Sequence, residues 1–576
     1  MRPIFQTLIT STFLLQTAIT TTSSPQCRCL PSSPCWPTSS EWAALNQTVS
    51  GKLLAAHPVG SVCHDPTYDA AACADATTNW SSSSWRGDRP GGMVGVNWEV
   101  TRNETCYITT QRNSTCGQGR IPVYSIAATT PEDIQTGVNF ARTHNLRLSI
   151  KNTGHDFLGR SAAKGSLQIW THAMKSIKLT DDFRPAGCSP EKKGESAVTI
   201  GAGVQLRELY KAAMEGNRTF VAGFASTVGA AGGYIQGGGH SAFGPWQGMG
   251  SDNALEFRVV VADGSHVIAN EYQNTDLYWA LRGGGGGTFG VVTSVTLRTF
   301  PDVPMVIALY NFTAPADEYY NFLTDFYNYV PAISDAGGSG YHFMFNNPPQ
   351  PNFKLTNFFL NQTNTSAVSA IYAPLVSACK SNTSETVFQS LLLPSAATFM
   401  YSRLTGTELA GYNAVLGSRL ISRTFMDSET GPEKLVHVLR ALAPNQGSEF
   451  TGHQVAGGKV AQNAHIDSAI NPAWRRAIMH LTFHRGWYDD TPVAAQEAIT
   501  KNITNVEMGM VKALEPDMGA YLNEADPNDE DWQKIFWGDN YERLGAVKKE
   551  WDPQDVFMCY PCVGAERWDR EGICRV

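Results

Sequence analysis

The stretch IKNTGHDFLGRS, Ile150 to Ser161, sets a histidine between a glycine and an acid on a turn that follows the apolar run LRLSI. An imidazole so placed has four uses open to it: a hydrogen-bonded loop residue, a metal ligand, a general base, or an anchor for something large. A second pair, His480 and His484, stands four residues apart in AIMHLTFH. Read as a strand, that segment puts Ile478, His480, Thr482 and His484 on one face and Met479, Leu481 and Phe483 on the other. The polar face either meets solvent or looks into a cleft. A metal centre is not expected there, because zinc sites need three or four protein ligands and no third suggests itself.

Two glycine-rich zones carry the next signal. GFASTVGAAGGYIQGGGHSAFG, Gly223 to Gly244, is interleaved with Val228, Tyr234, Ile235 and Phe243, which argues against a flexible linker. So many glycines in ordered chain imply sharp turns or close approach of a ligand, and turn N–H groups can cradle a pyrophosphate. In LRGGGGGTFGVVTSVTLRTF, Gly285, Gly287 and Gly290 satisfy G-x-G-x-x-G. A helical run, DLYWAL, precedes it and a strand follows, the reverse of a Rossmann unit, so that fold is rejected. No G-x-x-x-x-G-K-[ST], G-x-S-x-G or H-E-x-x-H occurs.

These residues need a large scaffold. At 576 residues the chain exceeds one ordinary core, and its −8 charge without a long basic run excludes a nucleic-acid partner. Residues 1–22 read as a signal peptide, too short and polar to be a membrane anchor. The 12 cysteines crowd the two ends, and ten N-x-S/T sequons stand at Asn46, Asn79, Asn103, Asn113, Asn217, Asn311, Asn361, Asn364, Asn382 and Asn502. Both features fit a glycosylated, oxidised protein of the secretory pathway, bound for the cell exterior, cell wall or vacuolar lumen, with CYPC as a structural disulfide. Residues 23–117 form a Cys-rich, loop-rich extension without a large core of its own. Helices and strands alternate over 118–302, with a helix opening at Thr130 or Pro131. Residues 303–510 read as an antiparallel sheet with helices on one face, and 511–576 as an aromatic, turn-dense close. The class is α+β.

In that order, these words resemble the berberine bridge enzyme-like branch of the vanillyl-alcohol-oxidase, PCMH-type FAD-linked oxidoreductases, over Arg120 to Thr299 and Tyr521 to Phe557. The Cys-rich N-terminus and CYPCVGAERW are most similar to secreted fungal, isoamyl-alcohol-oxidase-like members, some of which serve secondary-metabolite pathways. The resemblance implies a two-subdomain FAD-binding domain, a substrate domain, and a C-terminal segment that returns to the FAD domain. It implies covalent attachment of the flavin 8α-methyl to His155. Asn152 and Thr153 replace two glycines of the family's attachment motif, and Lys151, Gly154, Gly159 and Ser161 keep its other anchors.

The implied cofactor set also includes Arg160, Thr227, Val228, Gly229, Gly233, Gly237, Gly238, Gly239, Val291, Asn523 and Asn540. Ala225 stands where many relatives carry a second flavin-bonding cysteine, which implies single attachment. Val228 falls at the family's gatekeeper position and favours O2 as electron acceptor. The family's Y-x-N-Y-x-D word is Tyr521, Asn523, Glu524 and Asp526 here, with Glu524 in place of the second tyrosine. The implied reaction takes hydride from a small-molecule alcohol or secondary metabolite, with Tyr521, Glu524 and His480 as candidate bases. A carbohydrate oxidase on the same scaffold is the alternative, and a flavin-free binding or structural glycoprotein is the reading from another class.

Overall fold

The computed structural model describes residues 27–95, 104–346, 350–378, 383–404, 408–443 and 449–576. The expected signal peptide and the sequons at Asn103 and Asn382 lie outside them. A four-stranded sheet orders Leu53–Ala55, Tyr124–Ala127, Leu167–Trp170 and Leu148–Lys151, the last three parallel. The crossover helix Pro131–Thr143 starts on Thr130, whose hydroxyl accepts from the Asp133 amide while Asp133 reaches back in a capping box. Its Ile134, Val138 and Ala141 pack on Ile126 and Ile169 of the sheet. The same core takes Trp42, Leu45 and Val49 from the N-terminal extension, so the extension is a wing of the first domain rather than a body with its own core. Disulfides Cys27–Cys574, Cys29–Cys35, Cys63–Cys73, Cys106–Cys116 and Cys559–Cys562 staple both ends.

A five-stranded antiparallel sheet follows, Ile177–Phe183, Glu195–Gly201, Val291–Arg298, Ala254–Val260 and His266–Asn270. The helix Thr275–Leu281 precedes the second glycine zone and the strand Val291–Arg298 follows it, the arrangement that excludes a Rossmann turn. The third sheet has seven antiparallel strands: Glu385–Leu393, Met305–Thr313, Asn352–Leu360, Ser339–Phe345, Glu449–Gln454, Ala477–Trp487 and Asn413–Ser422. The two-residue period of a strand sorts its side chains. Val306, Ala308, Tyr310 and Phe312 join Phe322, Phe326 and Leu439 of the covering helices Ala316–Asp335 and Gly431–Leu442. Ile307 and Leu309 point the other way, into a cavity against the first domain.

One expectation fails locally. Ile478 does not share the face of His480 but is buried in the helix-side core with Met479. Ile421 pairs with Met479 and Ser422 with Ala477, so Ile478 is the extra residue of a β-bulge, which resets the alternation. Of the described sequons, Asn113, Asn217, Asn361, Asn364 and Asn502 are exposed, and Asn46, Asn79 and Asn311 are half-buried.

Candidate active site

A cavity of about 880 Å³ lies between the two glycine zones, the turn after Lys151 and the seven-stranded sheet. That is the upper end of the roughly 300–1,000 Å³ range of ligand sites. The turn forms because Gly154 adopts φ +85°, where any Cβ would also meet the Gly92 carbonyl at 3.2 Å. Asp156 closes it, accepting the Leu158 amide at 3.1 Å. His155 lines the cavity, and its Nε2 sits 2.6 Å from Thr227 Oγ1. Burial lowers its pKa to about 4, against a smaller opposing pull from Glu408, so the imidazole is neutral at neutral pH. Asn152 ties the turn to its neighbours, donating to Ala202 O at 2.9 Å and meeting His172 Nδ1 at 2.9 Å.

The glycine zones meet backbone to backbone. A Cβ on Gly286 would fall 2.8 Å from the Cα of Gly233, whereas at Gly232 and Gly287 it would meet nothing within 4 Å. Both of the latter glycines line the cavity, so bare peptide backbone faces open space, as a cradle for a large planar or phosphorylated ligand requires. Among the lining side chains, Arg160 Nη1 and Gln236 Oε1 are buried polar atoms without a partner, as are Nδ1 of His240 and of His453. Arg160 is held by Asn523 Oδ1 at 2.9 Å, and Asn523 also donates to Gly233 O and Tyr521 Oη, both at 2.8 Å. An unpaired guanidinium nitrogen beside bare glycine backbone suits an anionic dinucleotide, so the residues present fit FAD.

Of the sequence-derived set, Asn152, Thr153, Gly154, His155, Arg160, Ser161, Val228, Gly229, Gly233, Tyr521, Asn523 and Glu524 line this cavity. Others stand outside its wall. Lys151 is buried behind the turn, its ammonium donating to Arg89 O at 2.6 Å, so its charge serves packing. Asn540 donates to Ile470 O at 2.8 Å and holds a loop rather than the cavity. Val291 is buried in the first-domain core, while its neighbours Gly290 and Val292 line the cavity. Gly237 packs on Asn523 and Gly239 on Tyr234; Gly159 and Gly238 are likewise behind the wall, and Thr227 reaches it through His155.

The three candidate bases converge, and two histidines that no sequence motif had singled out join them. His453 is directly opposite His480 on adjacent strands, His240 comes from the first glycine zone, and Glu524 from the C-terminal segment. Glu524 Oε2 lies 3.1 Å from His240 Nε2 and 3.6 Å from His480 Nδ1. Burial alone would raise the Glu524 pKa; His240, through its hydrogen bond and its proximity, outweighs it and holds the group below the carboxylate range. Burial pushes His453 down to about 4 and His480 well below its ordinary value, which keeps both neutral. Burial raises Tyr521, with the Glu524 charge adding, so its phenol keeps its proton. His484 is half-buried and outside the wall. The expectation that His480 lacks further ligand partners is therefore corrected: they come from strands and loops remote in sequence. GGGHS was the one local clue, a histidine ending a glycine run.

Bare glycine backbone, a buried neutral histidine on a turn and a wall of carboxylate, phenol and imidazoles around one cavity suit a flavin-type redox scaffold. Residues 122–270 match the family described as FAD binding domain, and 520–561 the family described as berberine and berberine like. The chain is 48% identical to an uncharacterized FAD-linked oxidoreductase of Arthroderma benhamiae, covering 96% of both chains. It is 40% identical to the FAD-linked oxidoreductase notD of an Aspergillus species, over 95% of this chain and 90% of that one. The VAO-type flavoprotein MtVAO713 of Myceliophthora thermophila superposes with a TM-score of 0.88 at 28% identity, over 96% of this chain and 100% of that one. This protein belongs to the berberine bridge enzyme-like FAD-linked oxidoreductases. It is an enzyme of that class, not a flavin-free binding glycoprotein.

Proposed function

We infer that the protein is a secreted oxidase that carries FAD through one covalent bond from His155 and oxidises a bulky, largely apolar alcohol or secondary metabolite. The chemistry that bound flavin supplies is acceptance of hydride from the substrate carbon and delivery of the electrons to O2. The observation that carries this reading is convergence: the His155 turn, the glycine cradle and the Tyr521–Glu524 wall open to one cavity. Ala225, also in the wall, has no sulfur for a second bond, which supports single attachment. Thr227 orients His155 and leaves its other nitrogen for the flavin methyl. Arg160 and Asn523 hold the cradle. Glu524, which lines the cavity and accepts from His240, takes the substrate hydroxyl proton.

The substrate-domain wall is mostly apolar, with Ile307, Leu309, Phe343, Phe358, Leu393 and Phe399 against a polar minority of Thr356, Arg403, Thr451 and His453. Burying that apolar surface favours an aromatic or hydrocarbon-rich substrate, because the hydroxyls of a sugar would lie mostly against carbon there. This supports the secondary-metabolite or alcohol reading over a carbohydrate oxidase. The five disulfides support an oxidising compartment, and among the described residues no helix is long and apolar enough to cross a membrane. The test is absorbance of the purified protein after acid precipitation, with peroxide release across a panel of hydrophobic alcohols, phenolics and sugars. A yellow pellet with peroxide from the hydrophobic members is expected. A colourless pellet overturns the covalent bond, and turnover of sugars alone overturns the substrate class.

A further inference from the structure

Three imidazoles and a carboxylate share one small volume at the cavity wall. Their donor atoms, one from each of His240, His453, His480 and Glu524, lie within 4.8 Å of one another. The ring centres of His453 and His480 are 5.1 Å apart, those of His240 and His453 5.4 Å, and those of His240 and His480 5.7 Å. Around a tetrahedral ion with metal–nitrogen bonds of about 2.0–2.1 Å, imidazole centres stand about 5.2 Å apart, close to the spacing of these rings, so rotation of the imidazoles would draw the donor atoms in from the 4.8 Å limit. His480 is 0% exposed, and neither of its ring nitrogens has a hydrogen-bond partner; Nδ1 of His240 and of His453 are also buried and unpartnered. Four orphaned nitrogens in one buried cluster are costly unless something accepts their lone pairs or protons.

The surroundings suit coordination. His453 Nε2 is 3.0 Å from Thr482 Oγ1, a contact that fixes the ring and leaves Nδ1 as the donor, as outer-shell partners do in metal sites. Strand pairing sets His453 against His480. His240, His453 and Glu524 line the cavity whereas His480 is behind them, so an ion held by the four would present a fifth coordination position to the substrate space.

We propose that His240, His453, His480 and Glu524 form a site for a divalent transition-metal ion of the zinc type, which holds the substrate oxygen at the cavity wall. The proposal deepens the oxidase reading and rests on its assignment of this wall to the reacting end of the substrate. Three imidazoles and one carboxylate select zinc-like ions over magnesium or calcium, which prefer all-oxygen shells. An ion there would polarise the bound hydroxyl and lower its pKa, and Glu524 keeps a second oxygen for the released proton.

The test uses the full-length holoprotein produced with added Zn²⁺ and dialysed against metal-free buffer. Metal content and flavin absorbance are measured on the same samples, and X-ray absorption reports the zinc shell. The expected result is close to one zinc per chain with imidazole scattering. Metal should fall at least tenfold in both His453→Ala and His480→Gln while the yellow colour, as the check on folding, is kept. Yellow wild-type protein without zinc, and without uptake of added Zn²⁺ at micromolar concentration, overturns the site but leaves the flavin reading standing. Zinc that persists in both yellow variants also overturns it. A colourless protein that still binds zinc through these residues sinks the oxidase reading instead.

Discussion

Lys548→Met tests how the C-terminal segment holds the floor of the cavity. Lys548 and Asp552 are one helical turn apart, with side-chain exposures of 1% and 0%. The ammonium donates to Asp552 Oδ2 and Phe557 O at 2.6 Å and to Thr288 O at 2.7 Å. Asp552 also accepts the Val556 and Phe557 amides at 2.7 and 2.8 Å. Methionine keeps the stem, but it leaves a buried carboxylate without its cation and deprives the Thr288 and Phe557 carbonyls of the ammonium donor. Breaking a buried pair from one side costs about 3–5 kcal/mol. With an unfolding entropy of about 2.1 cal/mol/K per residue, a chain of 576 residues should lose about 2.5–4 °C in Tm. Differential scanning calorimetry of the holoprotein reads that shift. Thr288 follows Gly286 and Gly287 of the cavity wall, so flavin content should fall as well. Adding Asp552→Asn removes the stranded charge and should recover part of the loss. A single variant within about 1 °C of wild type, or a double variant worse than the single, refutes the reasoning.

His155→Ala should leave no yellow colour in an acid-precipitated pellet, read by absorbance against wild type, because no other wall residue takes its place beside Thr227. Gly286→Ala puts a methyl 2.8 Å from the Gly233 Cα and must part the two zones; flavin per chain should fall severalfold while circular dichroism stays close to wild type. His342 is buried among Phe326, Tyr327 and Phe353, and burial, with His453 adding, lowers its pKa to about 3. The unfolded chain therefore protonates first: the stability is full above about pH 6.5 and is lost as pH falls toward the folded value. His342→Leu should lose less Tm than wild type between about pH 7 and about pH 4.5, and an equal loss in both proteins would count against the assignment.

The local elements were legible because their causes are local. Thr130 and Asp133 cap a helix wherever the chain goes, and the two-residue period of AIMHLTFH marks a strand. The glycine zones and the His155 turn announced close approach of a large ligand, and the order of these words pointed to the family. The bulge at Ile478 was not legible, since it depends on how the strand registers with Ser422 and Ile421. Lys151 and Asn540 were drawn to the cofactor by their place in motifs, yet each found a nearer carbonyl.

The sequence by itself determined the helices, the strands, the turn that presents His155 and the stapled ends, all set by backbone conformation, side-chain period and cysteine content. The tertiary structure alone decided which polar groups share a site. His240, His453, His480 and Glu524 are separated by as many as 284 residues and meet only because two domains and a returning C-terminal segment close on one cavity. Their chemistry depends on distance and burial, and neither quantity is written in any one segment of the chain.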